Sequence, residues 1–277
     1  MRRCGFRHER RLRAAGFAAI AGIDEAGRGA LAGPVVAAAV VLPEKFRHKR
    51  LNDSKQLLPE KREEIYRDLT NNVAIAWSVG VVDSLEIDEL NILRATHKAM
   101  RTAVAALQAI PDHALIDGLP VYPFPLPQTA VVDGDCISLS IAAASVIAKV
   151  TRDIMMREFC ARFPEYCFSQ HKGYGTELHL TKLHAHGPCP IHRRSFEPVA
   201  QPLFGFARAV SDVDRLDGMA DDPQGVAPVE TQHLTDSDER RAGGHSERIE
   251  AESRNPVAIP SILPLDPSTS LGMAASD

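Results

Sequence analysis

Hydrophobic positions along this chain fall into short runs and longer stripes that alternate with each other. The densest stretch, Phe17 to Leu42 (FAAIAGIDEAGRGALAGPVVAAAVVL), is two apolar blocks joined by a glycine-rich turn. Both blocks are short and rich in Ala, Val and Ile, which predicts buried strands rather than helices. VAIAWSVGVV (73–82) alternates and predicts a third strand, while ALIDG (114–118) and TAVV (129–132) predict a fourth and a fifth. Pro59 opens a helical segment, EKREEIYRDL, in the position where proline suits a first turn. Asp83, with Glu86 three residues later, marks another helix start. From there Leu90, Leu93, Met100, Val104 and Leu107 predict one long amphipathic helix. SLSIAAASVIAKVTRDIMMREFCARF predicts a helix of about seven turns, with small residues suited to close packing on a sheet. TELHLTKLHAHG predicts the last helix.

Acids stand where three of these strands end: Asp24 and Glu25, Asp117, and Asp135. Ligand sites of open α/β sheets gather at strand ends, so these residues are expected to converge. Neighbours on a strand face opposite ways, so Glu25 is expected where the strand breaks into the glycine turn. Any one of these acids alone is more often a turn former or helix cap than a ligand. Their co-occurrence with Arg28, Lys149 and the turn Gly27-Arg28-Gly29 raises the set above that. Clustered carboxylates repel unless a hard cation joins them. Mg²⁺ or Mn²⁺ held by carboxylates and phosphate oxygens suits phosphoryl transfer, with two ions about 3.5–4 Å apart. Ser145, Lys149 and Arg152 share one helix face, which suits either a phosphate backbone or a surface pairing with Asp153. Tyr174, between two glycines, suits stacking on a sugar or base, or plain surface packing.

Other patterns compete. Gly27 to Ala32 satisfies a loose G-x-G-x-x-A dinucleotide pattern, but Pro34 and a strand-like run follow where a helix is needed. Gly22 to Gly29 imitates a phosphate-binding loop, with Arg28-Gly29 in place of the lysine and hydroxyl. His171, His179, His184, His186, Cys189 and His192 raise a zinc site, but the histidine spacing is not a recognised ligand pattern.

Net charge changes the picture once it is divided along the chain. Residues 206–277 carry 14 acidic and 6 basic side chains, leaving 22 of the 36 acids and 26 of the 32 bases to residues 1–205. The body is mildly basic, which permits nucleic-acid binding without proving it. The tail beyond about residue 203 has no aromatic after Phe206 and is expected to be disordered. Residues 1–16 hold six arginines and one glutamate, suiting a transit peptide, a phosphate-contacting arm or a solvated first helix. No apolar run is long enough to span a bilayer and no signal peptide opens the chain, so a cytoplasmic protein without membrane contact is expected. Five cysteines without a C-x-x-C pair are expected to be reduced.

GIDEAGRGALAGPV, LNDSK, EIDELNILRATHKAM, LIDG, the GD at 134–135, AAASVIAKVTRD, HKGYGT and HRRSF together resemble bacterial ribonuclease HII, in that family's order over about residues 17–200. The resemblance implies an α/β, ribonuclease H-like fold: a mixed central β-sheet flanked by helices, with a helical C-terminal part. It divides the chain into a basic extension (1–16), a catalytic domain (17–202) and an acidic tail (203–277). It implies endonucleolytic hydrolysis of RNA in RNA–DNA hybrids and incision at single ribonucleotides in duplex DNA, leaving 5′-phosphate and 3′-hydroxyl ends. Asp24, Glu25, Asp117 and Asp135 would bind two Mg²⁺ or Mn²⁺ ions. Gly27, Arg28 and Gly29 would sense the ribose 2′-OH, Tyr174 would stack on the neighbouring deoxyribose, and Ser145 and Lys149 would contact phosphates. A monomer is expected, with any replication-machinery partner unidentified. Ala30, Cys136, Asp133 and Leu119 depart from the family's usual proline, serine, basic residue and asparagine. Two rivals are a hybrid-binding protein that has lost turnover, and a nuclease of the same fold acting at DNA branches. The complete acid set counts against the first, and the G-R-G turn and tyrosine against the second.

Overall fold

In a computed structural model, residues 4–48, 51 and 58–200 are described. Most of the LNDSK segment and the acidic tail lie outside the described residues. Strands β1 (Ile20–Ala26) and β2 (Val35–Val41) form the expected antiparallel hairpin, with Asp24 opposite Ala38 and Glu25 opposite Ala37. The irregular turn between them leads into a strand and not a helix, which removes the dinucleotide and phosphate-loop patterns. β3 (Ala76–Val82) pairs antiparallel with β2. β4 (His113–Asp117) lies parallel to β1, and β5 (Gln128–Val131) parallel to β4. The sheet order is β3-β2-β1-β4-β5, so the chain leaves β1, β4 and β5 at the same end of the sheet.

Side-chain alternation sorts the two faces. Ala21 and Ile23 of β1 join a core with Ala95, Ala99 and Ala103, while Ile20 packs with Leu115 and Ile141. The helices behind these contacts are α4 (Ile92–Ala105) on one face and α5 (Leu139–Arg162) on the other. Each approaches the sheet over a glycine: a Cβ on Gly80 would stand 2.1 Å from the Ala99 carbonyl oxygen, and one on Gly22 2.1 Å from the Ser140 carbonyl carbon. The alanine-rich run of α5 therefore packs as its composition predicts. Further helices are α1 (Arg7–Ala14), α2 (Pro59–Thr70), α3 (Ser84–Leu90), α6 (Phe168–His171) and α7 (Glu177–His186).

One expectation needs correction and another gains detail. The long helix predicted after Asp83 is two, because Asn91 adopts φ 67° between α3 and α4. Its side chain then caps α4 by accepting from the Arg94 N–H (3.1 Å), as Asp83 caps α3 through the Glu86 N–H (2.9 Å). With ψ 160° this is a conformation that non-glycine residues rarely adopt, and the cap it permits helps to hold it. The arginine-rich start is a helix with Arg7, Arg10 and Arg11 exposed, as the solvated-helix reading has it, and with an anchored inner side. Glu9 of α1 is fully buried and accepts from the Ser138 hydroxyl (2.7 Å) and the Ser140 N–H (3.0 Å), at the start of α5. Among the described residues no helix is long and apolar enough to cross a membrane.

Candidate active site

The acids meet where the parallel strands end. Ile23 lies beside Ile116 in the β1–β4 pair, so one step further Asp24 reaches Asp117, the last residue of β4. Asp24 is buried, and its Oδ1 accepts from the Glu25 N–H at 2.7 Å. Burial first, then the charges of Asp117 and Glu25, push its carboxyl well above the usual range, against a hydrogen bond with Ser145. Burial also raises Glu25, opposed by Arg28, whose guanidinium is 3.7 Å away, and reinforced by Asp117. Asp117 Oδ1 accepts from the Gly134 N–H at 2.7 Å, tying the end of β4 to the short 3-10 helix Gly134–Cys136, which carries a fully buried Asp135. Asp133 precedes that turn in left-handed conformation (φ 52°) and faces solvent. Glu25 does not sit at a strand break as expected: β1 continues to Ala26. Asp24 and Glu25 leave opposite faces of the strand and both feel the charge of Asp117.

Among the described residues no three His, Cys, Asp or Glu side chains are gathered closely enough to enclose an ion by themselves. Mg²⁺ ordinarily takes only one or two carboxylates and completes its shell with water and substrate phosphate. An all-oxygen set of buried (Asp24, Asp135) and partly buried (Glu25, Asp117) carboxylates fits a hard divalent cation of that kind, since a cation offsets the charges that raise Asp24.

The histidines expected as zinc candidates form something else. His171 and His179 stack with ring centroids 4.3 Å apart, and His179 Nε2 lies 3.0 Å from His192 Nε2. The Tyr166 carbonyl takes His171 Nε2 (2.7 Å), the Gly173 N–H donates to His171 Nδ1 (3.2 Å), and His179 Nδ1 donates to the Tyr174 carbonyl (3.0 Å). Burial lowers the pKa of both His179 and His192 to about 4, so they are neutral posts under the Tyr174 loop. His184 and His186 are exposed on α7.

The expected phosphate-binding face of α5 is largely engaged within the chain. Ser145 bonds Asp24, and Lys149 Nζ donates to Asp153 Oδ1 at 2.7 Å while lying 5.7 Å from the Tyr174 ring centre. Arg152 is fully buried, contrary to expectation. It donates to the carbonyls of Pro34 (2.8 Å), Lys172 (2.9 Å) and Ala32 (3.0 Å), with its guanidinium 5.3 Å from the half-buried Tyr174 ring. Arg193, not singled out in the sequence, is its counterpart under the G-R-G turn. Its three nitrogens donate to the carbonyls of Gly27 (2.7 Å), Arg28 (2.9 Å) and Gly33 (3.0 Å). Ala30 leaves the turn hydrogen-bonded, since its N–H reaches the Gly27 carbonyl at 3.4 Å, a bond proline lacks. Gly27 has φ 89°, and a Cβ there would fall 1.9 Å from Arg152 Nε; a Cβ on Gly29 would meet nothing within 4 Å. The Leu31 and Ala32 N–H groups both donate to the Gly173 carbonyl (2.8 and 3.3 Å), joining the turn to the Tyr174 loop.

The Ribonuclease HII family model matches residues 21–199. The chain belongs to the ribonuclease HII family. It is 54% identical over 197 residues to ribonuclease HII of Geobacillus kaustophilus, covering 71% of this chain and 75% of that one. It is 52% identical over 197 residues to that of Desulfitobacterium hafniense, with the same coverage. The fold is similar to ribonuclease H2 of Pyrococcus horikoshii (TM-score 0.59, 26% identity, 69% of this chain and all of that one). It is also similar to the Archaeoglobus fulgidus RNase HII solved in complex with PCNA (TM-score 0.56, 26% identity, 65% and 96%). The fold is ribonuclease H-type, as expected. As a member of that family, the protein is an endonuclease that hydrolyses the RNA strand of RNA–DNA hybrids and leaves 5′-phosphate ends.

Proposed function

We propose that this protein also incises duplex DNA at single embedded ribonucleotides, on their 5′ side. One observation carries this reading: Arg28 of the glycine turn lies 3.7 Å from Glu25 of the carboxylate cluster, so a sugar read by the turn lies at the reactive centre. Asp24, Glu25, Asp117 and Asp135 are the ligands proposed for two Mg²⁺ or Mn²⁺ ions. When bound, such ions supply an activated water and a stabilised leaving oxygen. Ser145 orients Asp24 through its hydroxyl and borders the phosphate path with Lys149. Gly27, Arg28 and Gly29 read the ribose 2′-OH, the local feature that separates RNA from DNA. Tyr174 takes the neighbouring deoxyribose on its ring. The working unit is a cytoplasmic monomer acting on hybrid and ribonucleotide-containing duplexes. The PCNA complex of the Archaeoglobus protein supports a replication-machinery partner, which light scattering with and without an added sliding clamp tests together with the monomer.

A labelled duplex with one ribonucleotide in otherwise DNA strands decides the main claim. With Mg²⁺ or Mn²⁺, cutting occurs on the 5′ side of the ribonucleotide, and not with EDTA or on all-DNA duplex. Cutting of long hybrids with none at the single ribonucleotide would overturn the sugar-reading assignment.

A further inference from the structure

We propose that Arg193 is a positioning residue for ribose recognition, holding the G-R-G turn with its amides outward while Arg152 locks that turn to the Tyr174 loop. This rests on the reading of the turn given above. Two fully buried guanidiniums under one loop are costly unless every donor is matched. Here all six of their nitrogens donate to backbone carbonyls, five of them within residues 27–34. The direction of those bonds matters more than their number. In a trans peptide the carbonyl and the following N–H point opposite ways. Arg193 draws the Gly27 and Arg28 carbonyls inward, which turns the N–H groups of Arg28 and Gly29 outward. Arg28 and Gly29 are themselves exposed, and a Cβ on Gly29 would meet nothing within 4 Å. Two successive outward amides form a concave donor pair for an oxygen of sugar or phosphate. A lysine in place of Arg193 offers one compact ammonium in place of three spread nitrogens, so it does not reproduce the planar fork.

Arg193 is itself placed from both sides. Its N–H donates to the Leu31 carbonyl (2.9 Å), and its guanidinium lies 5.1 Å from the Phe196 ring centre. Asp88 of α3 gathers the N–H groups of Arg194 (2.8 Å) and Ser195 (3.0 Å) and the Ser195 hydroxyl (2.6 Å). Burial, then the neighbouring Arg152 charge, pulls the pKa of Arg193 down to about 9, which leaves it charged at neutral pH.

The test compares the parent, Arg193→Ala and Arg193→Lys on two substrates, a duplex with one embedded ribonucleotide and a uniform RNA–DNA hybrid, with a thermal melt of each protein. Arg193→Ala is expected to lose about 100-fold in kcat/KM at the embedded ribonucleotide, as a misplaced reading group does, and less on the uniform hybrid. Added guanidinium ion restores cleavage by Arg193→Ala and methylammonium does not. Arg193→Lys stays folded and shows the same shift in substrate ratio. Parent-like cleavage by folded Arg193→Lys overturns the proposal. So does equal loss by Arg193→Ala on both substrates, in step with its melting and without rescue. Should Arg193→Ala not fold, the ratio measured for Arg193→Lys decides. A parent that ignores the embedded ribonucleotide removes the underlying reading instead.

Discussion

The carboxylates at the ends of β1 and β4 and the guanidiniums beneath the G-R-G turn are both buried groups of like charge, and the chain treats them differently. Each guanidinium nitrogen of Arg152 and Arg193 ends on a carbonyl. Asp24, by contrast, is held in the field of Asp117 and Glu25, with its carboxyl raised well above its usual range. A buried charge satisfied inside the chain shapes the backbone, and one held against its own kind marks where a ligand of opposite sign belongs. Substitutions should therefore part activity from stability in opposite senses at the two places.

The largest effect is expected at Asp24. Asp24→Asn removes a proposed metal ligand, so cleavage falls by about 10²–10³ or more while hybrid binding persists, and it removes one repelling charge, so the melting temperature holds or rises. Undiminished single-turnover cutting would break the assignment. The glycine turn gives a sharper pair. Gly27→Ala, with φ 89° and a Cβ aimed at Arg152 Nε, costs at least about 1–2 kcal/mol in urea unfolding. Gly29→Ala, which meets nothing, stays within about 0.5 kcal/mol of the parent, yet loses cleavage at an embedded ribonucleotide. Equal behaviour of the two would erase the contrast between the inner and outer sides of the turn.

Smaller effects follow. Tyr174→Ala gives up about 1 kcal/mol of preference for a ribonucleotide followed by DNA, measured by competing substrates. An equal loss on every substrate would make the ring a packing element over Arg152 and Lys149. The weakest effect concerns pH. His179 and His192 fold as neutral groups with pKa values near 4, whereas unfolded imidazoles titrate at 6.5. The unfolded chain binds more protons between those values, so stability is complete above about 6.5 and declines as pH falls toward about 4. His192→Asn should flatten that decline in melting temperature between pH 7 and 5.

The strands, the glycine turn and the acids were legible because each leaves a local mark: an apolar run of fixed length, a glycine pair, an acid at the end of a run. The break at Asn91 was hidden because Leu90 and Leu93 keep the helical stripe across it. Arg152 was misplaced because its helical spacing from Ser145 and Lys149 says which face it shares, not how deep that face lies. Arg193 enters the sequence reading only within HRRSF and without a role of its own, because a guanidinium bonded to backbone carbonyls has no sequence partner to reveal it. The one clue was the run HRRSF itself, which carries no spacing rule. The histidines advertised a metal because composition counts imidazoles without showing that their nitrogens are already bonded.

The pairing of β1 with β4 has a consequence for how the enzyme comes into being. Between these neighbours the chain must first make β2, α2, β3, α3 and α4, so Asp24 meets Asp117 only through a contact distant in sequence. Contacts of that kind form late and slowly. A half-synthesised chain emerging from the ribosome can close the β1–β2 hairpin, yet it lacks the partner carboxylate and the turn that carries Asp135. On the ligand set proposed above, cutting power arrives together with the finished sheet rather than with any partly folded precursor.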